Sequence, residues 1–261
     1  METVFLAIIQ AFTEFLPVSS TAHLIVLPHL WNIQTAGRLT EVALHLGTLG
    51  VVLLYFRKDI WEGIKSLGAL KEGKLTKPFH RWAHVAIATL PVVVVGYGLQ
   101  HSFEKSFRSF EMMGWFSIFF GLLLLVVDHK APAHKRYETM SYGDAFIIGL
   151  LQVIALFPGA SRLGTTLIAG RLLGYERIGA ARFSFLLSIP AVLGATILLL
   201  SKASWNEVRS IVQSTAVAGG LCFMLGYFVL MGFMKWIKHH TFMPFAIYRI
   251  AFGLYVVYYS L

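Results

Sequence analysis

The chain has 261 residues, 57% of them hydrophobic and 13% charged, against roughly 25% charged in an ordinary soluble domain. That balance, with a mean hydropathy of +0.69, excludes a soluble fold and suits an integral helical membrane protein, whose solvent is lipid. The formal charge of +9 does not argue for a nucleic-acid partner, because the basic residues fill short gaps between apolar runs, as they do in membrane proteins.

The first element, residues 1–31, is apolar but cut in the middle by Pro17 and the small polar run Ser19-Ser20-Thr21. A span is expected over 39–56, then a basic gap over 57–81, then spans over 82–100 and 112–127. The next stretch, 144–174, is again cut, at Pro158-Gly159-Ala160-Ser161-Arg162. Spans over 179–200, 213–234 and 243–260 complete the chain. The six long runs suit helices that cross a core about 30 Å thick. The two cut stretches have halves too short to cross, so each is read as a re-entrant helix–loop–helix. Its broken backbone must face protein or a wet cavity. The fold class expected is therefore an all-α integral membrane protein with six full transmembrane helices and two re-entrant pairs.

Threading these elements puts 57–81, 128–142 and 235–240 on one side with twelve Lys and Arg. The other side receives 1–38, 101–111 and 201–212 with five, among them Arg38, Lys105 and Arg108. The basic side is expected to be cytoplasmic, which leaves both termini outside. Overlaying Pro17 on Pro158, an offset of 141, sets Ser20 on Ser161, and a three-span run follows each. The first cut pair enters from outside and the second from inside. This is the pattern of an inverted repeat, with 1–130 as one half and 141–261 as the other, and such repeats bring their discontinuous helices together near the midplane.

The first loop gathers acid, amide, hydroxyl and imidazole. Gln10 and Glu14 are four apart and share a helix face. Ser19, Ser20 or Thr21 can cap the following half-helix, and His23 falls in its first turn. An ionisable residue at membrane depth points to function, so Glu14 is a candidate catalytic group. The second loop is shaped for an anion. Gly159 lets backbone approach a ligand, Ser161 can cap the helix that follows, and the free N–H groups there form an anion site. Arg162 adds a planar fork that fits phosphate, and Thr165 and Thr166 lie in the next turn. If the two loops meet, phosphate held by Arg162, Ser19, Thr21, Gly159, Ser161, Thr165 and Thr166 can be attacked from the Ser20/His23 side. Glu14 with Gln10 can hold a divalent metal that bridges to phosphate oxygens. Among weaker signals, His45 is a candidate to approach the cavity, Arg182 and Glu41 are expected at interfaces, and Arg249 is read as an anchor at the inner edge.

These motifs resemble the undecaprenyl-diphosphate phosphatase family of the bacitracin-resistance type. The likeness rests on Thr13-Glu14-Phe15-Leu16-Pro17-Val18-Ser19-Ser20-Thr21 with His23, on Pro158-Gly159-Ala160-Ser161-Arg162 with Thr166, and on segments such as Pro244-Phe245-Ala246-Ile247-Tyr248-Arg249. The resemblance implies a bacterial inner-membrane enzyme that converts undecaprenyl diphosphate to undecaprenyl phosphate. It also implies a divalent cation, Mg2+ or Ca2+, and an active site open to the periplasm. The family's Glu/Gln-x-x-x-Glu motif falls on Gln10 and Glu14, and its Pro-Gly-x-Ser-Arg-Ser-x-x-Thr motif on 158–166. Leu163 departs from the second Ser of that motif, and Ala22 from a usual Gly.

The competing readings are of different classes. A lipid-phosphate flippase could use the same inverted scaffold. The lipid phosphatases with a Ser-Arg-x5-His-x3-Asp motif are excluded, because Ile168 and Leu172 stand at the required His and Asp. A non-catalytic resistance protein leaves Glu14, His23 and Arg162 unexplained. The nucleophile stays open between Ser20, His23 and a metal-bound water, with Ser20 and His23 as its base the leading expectation. The partners expected are the membrane and a polyprenyl diphosphate, and the sequence leaves a homodimer open.

Overall fold

The structure, a computed structural model, describes residues 2–33, 37–99 and 109–260. Gln100, Lys105 and Arg108, and the side chain of Arg38, lie outside the described residues. Among the described residues the regular elements are helical, with one isolated bridge between Lys135 and Tyr175.

The first cut pair is α1 (Glu2–Thr13) and α2 (Ser20–Leu30). Pro17 carries no amide hydrogen, so the chain between them cannot continue as helix. Ser19 turns it at φ 73° before α2 begins. α3 (Arg38–Tyr55) leads into α4 (Arg57–Lys71), followed by α5 (Lys77–Leu99) and α6 (Phe110–Lys130). The second cut pair is α7 (Tyr142–Gln152) and α8 (Arg162–Leu172), joined through a 3-10 turn at Val153–Leu156. Ser141 starts α7 by accepting the Asp144 N–H at 3.0 Å, and Ser161 starts α8 by accepting the Gly164 N–H at 3.1 Å. α9 (Arg177–Leu200), α10 (Trp205–Trp236) and α11 (Met243–Ser260) complete the chain. α10 begins well before the expected 213, because Ser204 and Glu207 form a capping box that starts the helix there.

Four stretches are long and apolar enough to cross a membrane: Lys77–Gly98, Phe110–Lys130, Arg177–Leu200 and Ala216–Trp236. α3 and α4 pass that test together as a pair bent by 74°. The protein is thus a multi-pass membrane protein. The basic gap at 57–81 is not a plain connector as read from sequence. It holds α4, whose start is fixed by Asp59 bonded to Arg81 and Arg182.

The two cut pairs are held by helices from far along the chain. α1 lies against α10, and α7 lies against α5. α3 also packs on α10 and α9 on α5, while α6 pairs with α11. Small residues set these distances: a Cβ on Gly149 of α7 would come 2.4 Å from the Ala88 carbonyl oxygen of α5. Gly114 and Gly253 do the same for α6 and α11, each placing a would-be Cβ within 3.0 Å of the other's carbonyl oxygen. Without a hydrophobic drive between helices in lipid, such close backbone approach is what makes the contact favourable.

Overlaying Pro17 on Pro158 does not overlay the residues that stand just before α2 and α8. Ser19 and Ser161 stand at the N-cap positions of α2 and α8, both at positive φ (73° and 67°), and of the two only the Ser161 side chain makes a cap bond. They are 142 apart, and that offset pairs Gln10 with Gln152, both fully buried. The two prolines therefore sit one position apart within their loops. A proline stops a helix equally well at either position, so its alignment is a looser guide than the caps.

Candidate active site

The two loops meet. A cavity of about 90 Å³ is lined from the first by Glu14, Ser19, Ser20 and Thr21, and from the second by Phe157, Pro158, Ser161, Arg162 and Leu163. His45 of α3 and Val192 of α9 close its sides. The N-terminal turns of α2 and α8 both line it, so two positive dipole ends converge on one space.

Glu14 is the hub of this cavity. Its Oε1 accepts from Arg162 Nη2 at 2.7 Å, an ion pair between residues 148 apart in sequence. Its Oε2 accepts from Ser20 Oγ at 2.7 Å and from Gln10 Nε2 at 3.1 Å. His45 Nε2 stands 3.5 Å from the same oxygen. The other ring nitrogen of His45 donates to the Glu41 carbonyl at 2.7 Å, which fixes the ring. Arg162 is steadied by a second bond, Nη1 to the Ser184 carbonyl at 3.2 Å. A hydroxyl bonded to a carboxylate, beside a guanidinium, has the parts of a nucleophile, its base and an anion clamp.

His23 does not join this group. Its Nδ1–H donates to the Ser19 carbonyl at 2.8 Å, which leaves Nε2 to accept from the Tyr248 hydroxyl at 2.8 Å. The ring is buried and stacked on Phe252, centroids 4.1 Å apart. Helical spacing brings His23 one turn after Ser20, as expected. Its side chain, however, turns to α11 rather than back to the Ser20 hydroxyl, because two aromatic rings and a hydroxyl wait there. Ser20 is bonded to Glu14 instead.

The remaining candidates divide in the same way. Ser19, Thr21 and Ser161 line the cavity. Thr165 and Thr166 are buried, and both hydroxyls are spent on carbonyls of their own helix, the Arg162 carbonyl at 3.0 and 2.8 Å. Gly159, at φ 96°, serves the backbone: a Cβ there would meet the Met113 carbonyl oxygen at 2.7 Å.

Arg249 corrects the sequence reading most. It is no edge anchor but fully buried between the loops. Its Nη1 donates to the Pro17 carbonyl at 3.3 Å, and its Nη2 to the Gly159 and Ala160 carbonyls at 2.8 and 3.0 Å. Among the described residues no carboxylate pairs with it. Each loop break frees carbonyls that lipid cannot satisfy, and one guanidinium from α11 serves both. No sequence signal announces this, since its partners are backbone atoms far along the chain.

Among the described residues Glu14 is the one carboxylate lining the cavity. Among the described residues no three His, Cys, Asp or Glu side chains converge as a ready cation cage. Gln10 Oε1 is nonetheless buried without a partner, on the face it shares with Glu14. An oxygen pair of this kind fits a hard cation only where substrate oxygens and water complete the shell, as Mg2+ commonly arranges.

The family model described as bacitracin resistance protein BacA matches residues 3–255. The undecaprenyl-diphosphatase of Ruegeria pomeroyi is 38% identical over 253 residues, covering 96% of this chain and 95% of that protein. The undecaprenyl-diphosphatase of Desulforudis audaxviator is 38% identical over 257 residues, covering 98% and 96%. That of Jannaschia sp. is 37% identical over 251 residues, covering 95% and 94%.

Proposed function

The chain belongs to the bacitracin resistance protein BacA family, and from that premise we propose that it hydrolyses undecaprenyl diphosphate to undecaprenyl phosphate and inorganic phosphate. The reaction returns the lipid carrier to cell-wall synthesis and confers resistance to bacitracin. The observation that carries the catalytic assignment is the contact of Ser20, Glu14 and Arg162 in one cavity, reached from two separate loops.

In this reading Ser20 Oγ attacks the terminal phosphorus and gives its proton to Glu14 Oε2. The bond from phosphorus to the bridging oxygen breaks, and Glu14 returns the proton to that oxygen as undecaprenyl phosphate leaves. Water then attacks the phosphoserine, Glu14 takes its proton, and Ser20 Oγ recovers one as inorganic phosphate departs. Arg162 has a second role. While Glu14 is ionised it holds the guanidinium; once protonated it releases it to the phosphate oxygens, where negative charge is growing. His23 positions Ser19, and through it the N-terminus of α2. A divalent cation, Mg2+ or Ca2+, belongs to the same proposal: Gln10 and, while it is ionised, Glu14 would hold it on the protein side, and it would neutralise diphosphate charge.

The finer architecture proposed is two inverted halves, 1–130 and 141–261, with six full spans and two re-entrant pairs. It lies in the bacterial inner membrane, and the cavity opens to the periplasm. The exchanged packing of α1 on α10 and α7 on α5 supports two interlocked halves. Terminally labelled substrate and purified protein in detergent test the chemistry. Released phosphate without a bilayer separates hydrolysis from lipid translocation. Acid-stable label on Ser20, absent in Ser20→Ala, is expected. Acid-labile label on His23, or a Ser20→Ala variant with most of its turnover, would overturn the assignment.

A further inference from the structure

His45 is the one imidazole that lines the active-site cavity among the described residues. Its side chain is 24% exposed, and the hydrolytic steps leave it unused. Nδ1 lies 2.7 Å from the Glu41 carbonyl, which can only accept, so Nδ1 carries the ring proton. In the neutral ring Nε2 then turns a bare lone pair toward the cavity, 3.5 Å from Glu14 Oε2. A charge-assisted bond between imidazolium and carboxylate would close to about 2.7–2.9 Å. The observed gap is instead close to the spacing of two ligands on one cation: an ion about 2.1 Å from each of two tetrahedral ligands holds them about 3.4 Å apart. A histidine fixed by a carbonyl at one nitrogen and bare at the other is held as metal ligands are. His23 is not, because its Nε2 already accepts from the Tyr248 hydroxyl at 2.8 Å.

The neighbouring oxygens suit the same ion. Arg162 holds Glu14 by Oε1, which leaves Oε2 on the side of His45. Gln10 Nε2 donates to that Oε2 at 3.1 Å, while Gln10 Oε1 is buried without a partner. Turning the amide over, which its shape allows, brings a third lone pair beside the other two. We propose, on the reading that this cavity hydrolyses a diphosphate with a divalent cation, that His45 Nε2 is a ligand of that cation beside Glu14 Oε2. A nitrogen ligand changes which ion the site suits. Ca2+ takes oxygen ligands, whereas a mixed nitrogen and oxygen set favours a first-row transition ion such as Mn2+.

The test loads the purified full chain in detergent with Mn2+ and methylenediphosphonate, whose carbon bridge cannot be hydrolysed, and reads it by electron spin-echo envelope modulation. A nitrogen coupling to Mn2+ is expected, altered when the protein is made with heavy-nitrogen histidine and absent in His45→Gln. In that variant the affinity for Mn2+ should fall at least about tenfold, while that for Ca2+ stays within about threefold. His45→Asn serves if His45→Gln fails to fold, judged by its melting profile. No histidine coupling in the unaltered protein, or a coupling that survives the loss of His45, overturns the proposal. Phosphate release from undecaprenyl diphosphate is scored apart. A coupled His45 in a chain that releases none sustains the ligand and refutes the hydrolytic reading; release without the coupling refutes the ligand alone.

Discussion

Replacing Arg249 with Met separates two roles that a buried arginine can play. The change keeps an unbranched apolar stem, shorter than arginine, and removes three bonds, to the carbonyls of Pro17, Gly159 and Ala160. A hydrogen bond from a charged donor is worth about 1.5–3 kcal/mol, so three of them amount to several kcal/mol. The charge itself is buried without a carboxylate partner, and taking it out of the interior returns several kcal/mol. The two terms oppose each other, so the melting temperature in detergent should change little. Activity should not be spared. The two loops lose their common clip, and a shift of about 1 Å between a nucleophile and its phosphate costs about a hundredfold in rate, or ~2.7 kcal/mol of barrier. We expect kcat to fall about a hundredfold with a small change in KM, because Arg249 positions the loops and touches no cavity atom. Arg249→Lys, whose single ammonium can serve only part of the set, should fall between. Turnover within about threefold of the unaltered enzyme in a folded Arg249→Met protein would refute this account.

Arg162→Ala should lower kcat/KM at least about a hundredfold, measured by phosphate release, since it removes a clamp held in a cavity. Gln10→Glu should keep activity and, by isothermal titration with Mg2+ in the presence of inorganic pyrophosphate, bind the cation more tightly; unchanged binding would remove Gln10 from the cation's shell. His23→Asn, whose amide can still donate to the Ser19 carbonyl, should keep far more turnover than His23→Ala; equal loss in both would return His23 to a proton-transfer role. Ser19→Gly should raise thermal stability by about 1 kcal/mol, because it relieves a positive φ and Ser19 makes no side-chain cap bond. Ser161→Gly should leave stability near its starting value, since the same relief is offset by a lost cap of about 1 kcal/mol.

The parts of this fold that follow from local chemistry were legible. Pro17 and Pro158 each forbid a continuous helix, and α1 and α7 end a few residues before them, at Thr13 and Gln152. The apolar runs name the long helices to within a few residues, except where the Ser204–Glu207 box starts α10 early. Glu14, Ser20 and Arg162 could be singled out because polar groups at membrane depth need partners, and they turned out to be one another's. His45 reached the cavity for the same reason. What was illegible depends on partners without a sequence mark. Arg249 looks like any basic residue inside a span until the carbonyls freed by both loops lie around it. His23 could not be aimed from its spacing, because Tyr248 and Phe252 decide its direction from 225 and more residues away. α4 was hidden by its charges, which read as a connector until Asp59 was seen to tie it down.

The order in which the ribosome delivers these helices gives the clip a further meaning. Glu14 and Ser20 are made first and Arg162 midway, but Arg249 arrives in α11, 232 residues after the Pro17 carbonyl it secures. Until then the freed carbonyls of both loops have no guanidinium, and α1 lacks the α10 surface it lies on. Contacts so distant along the chain form late in assembly. On the proposed chemistry, a nascent chain would hold Glu14, Ser20 and Arg162 without the guanidinium that joins their loops, and hydrolysis would begin only once α11 is in place. Chains shortened before residue 243 should insert in the membrane yet remain inert, and a separately expressed α11 segment should restore them only if it docks on α6.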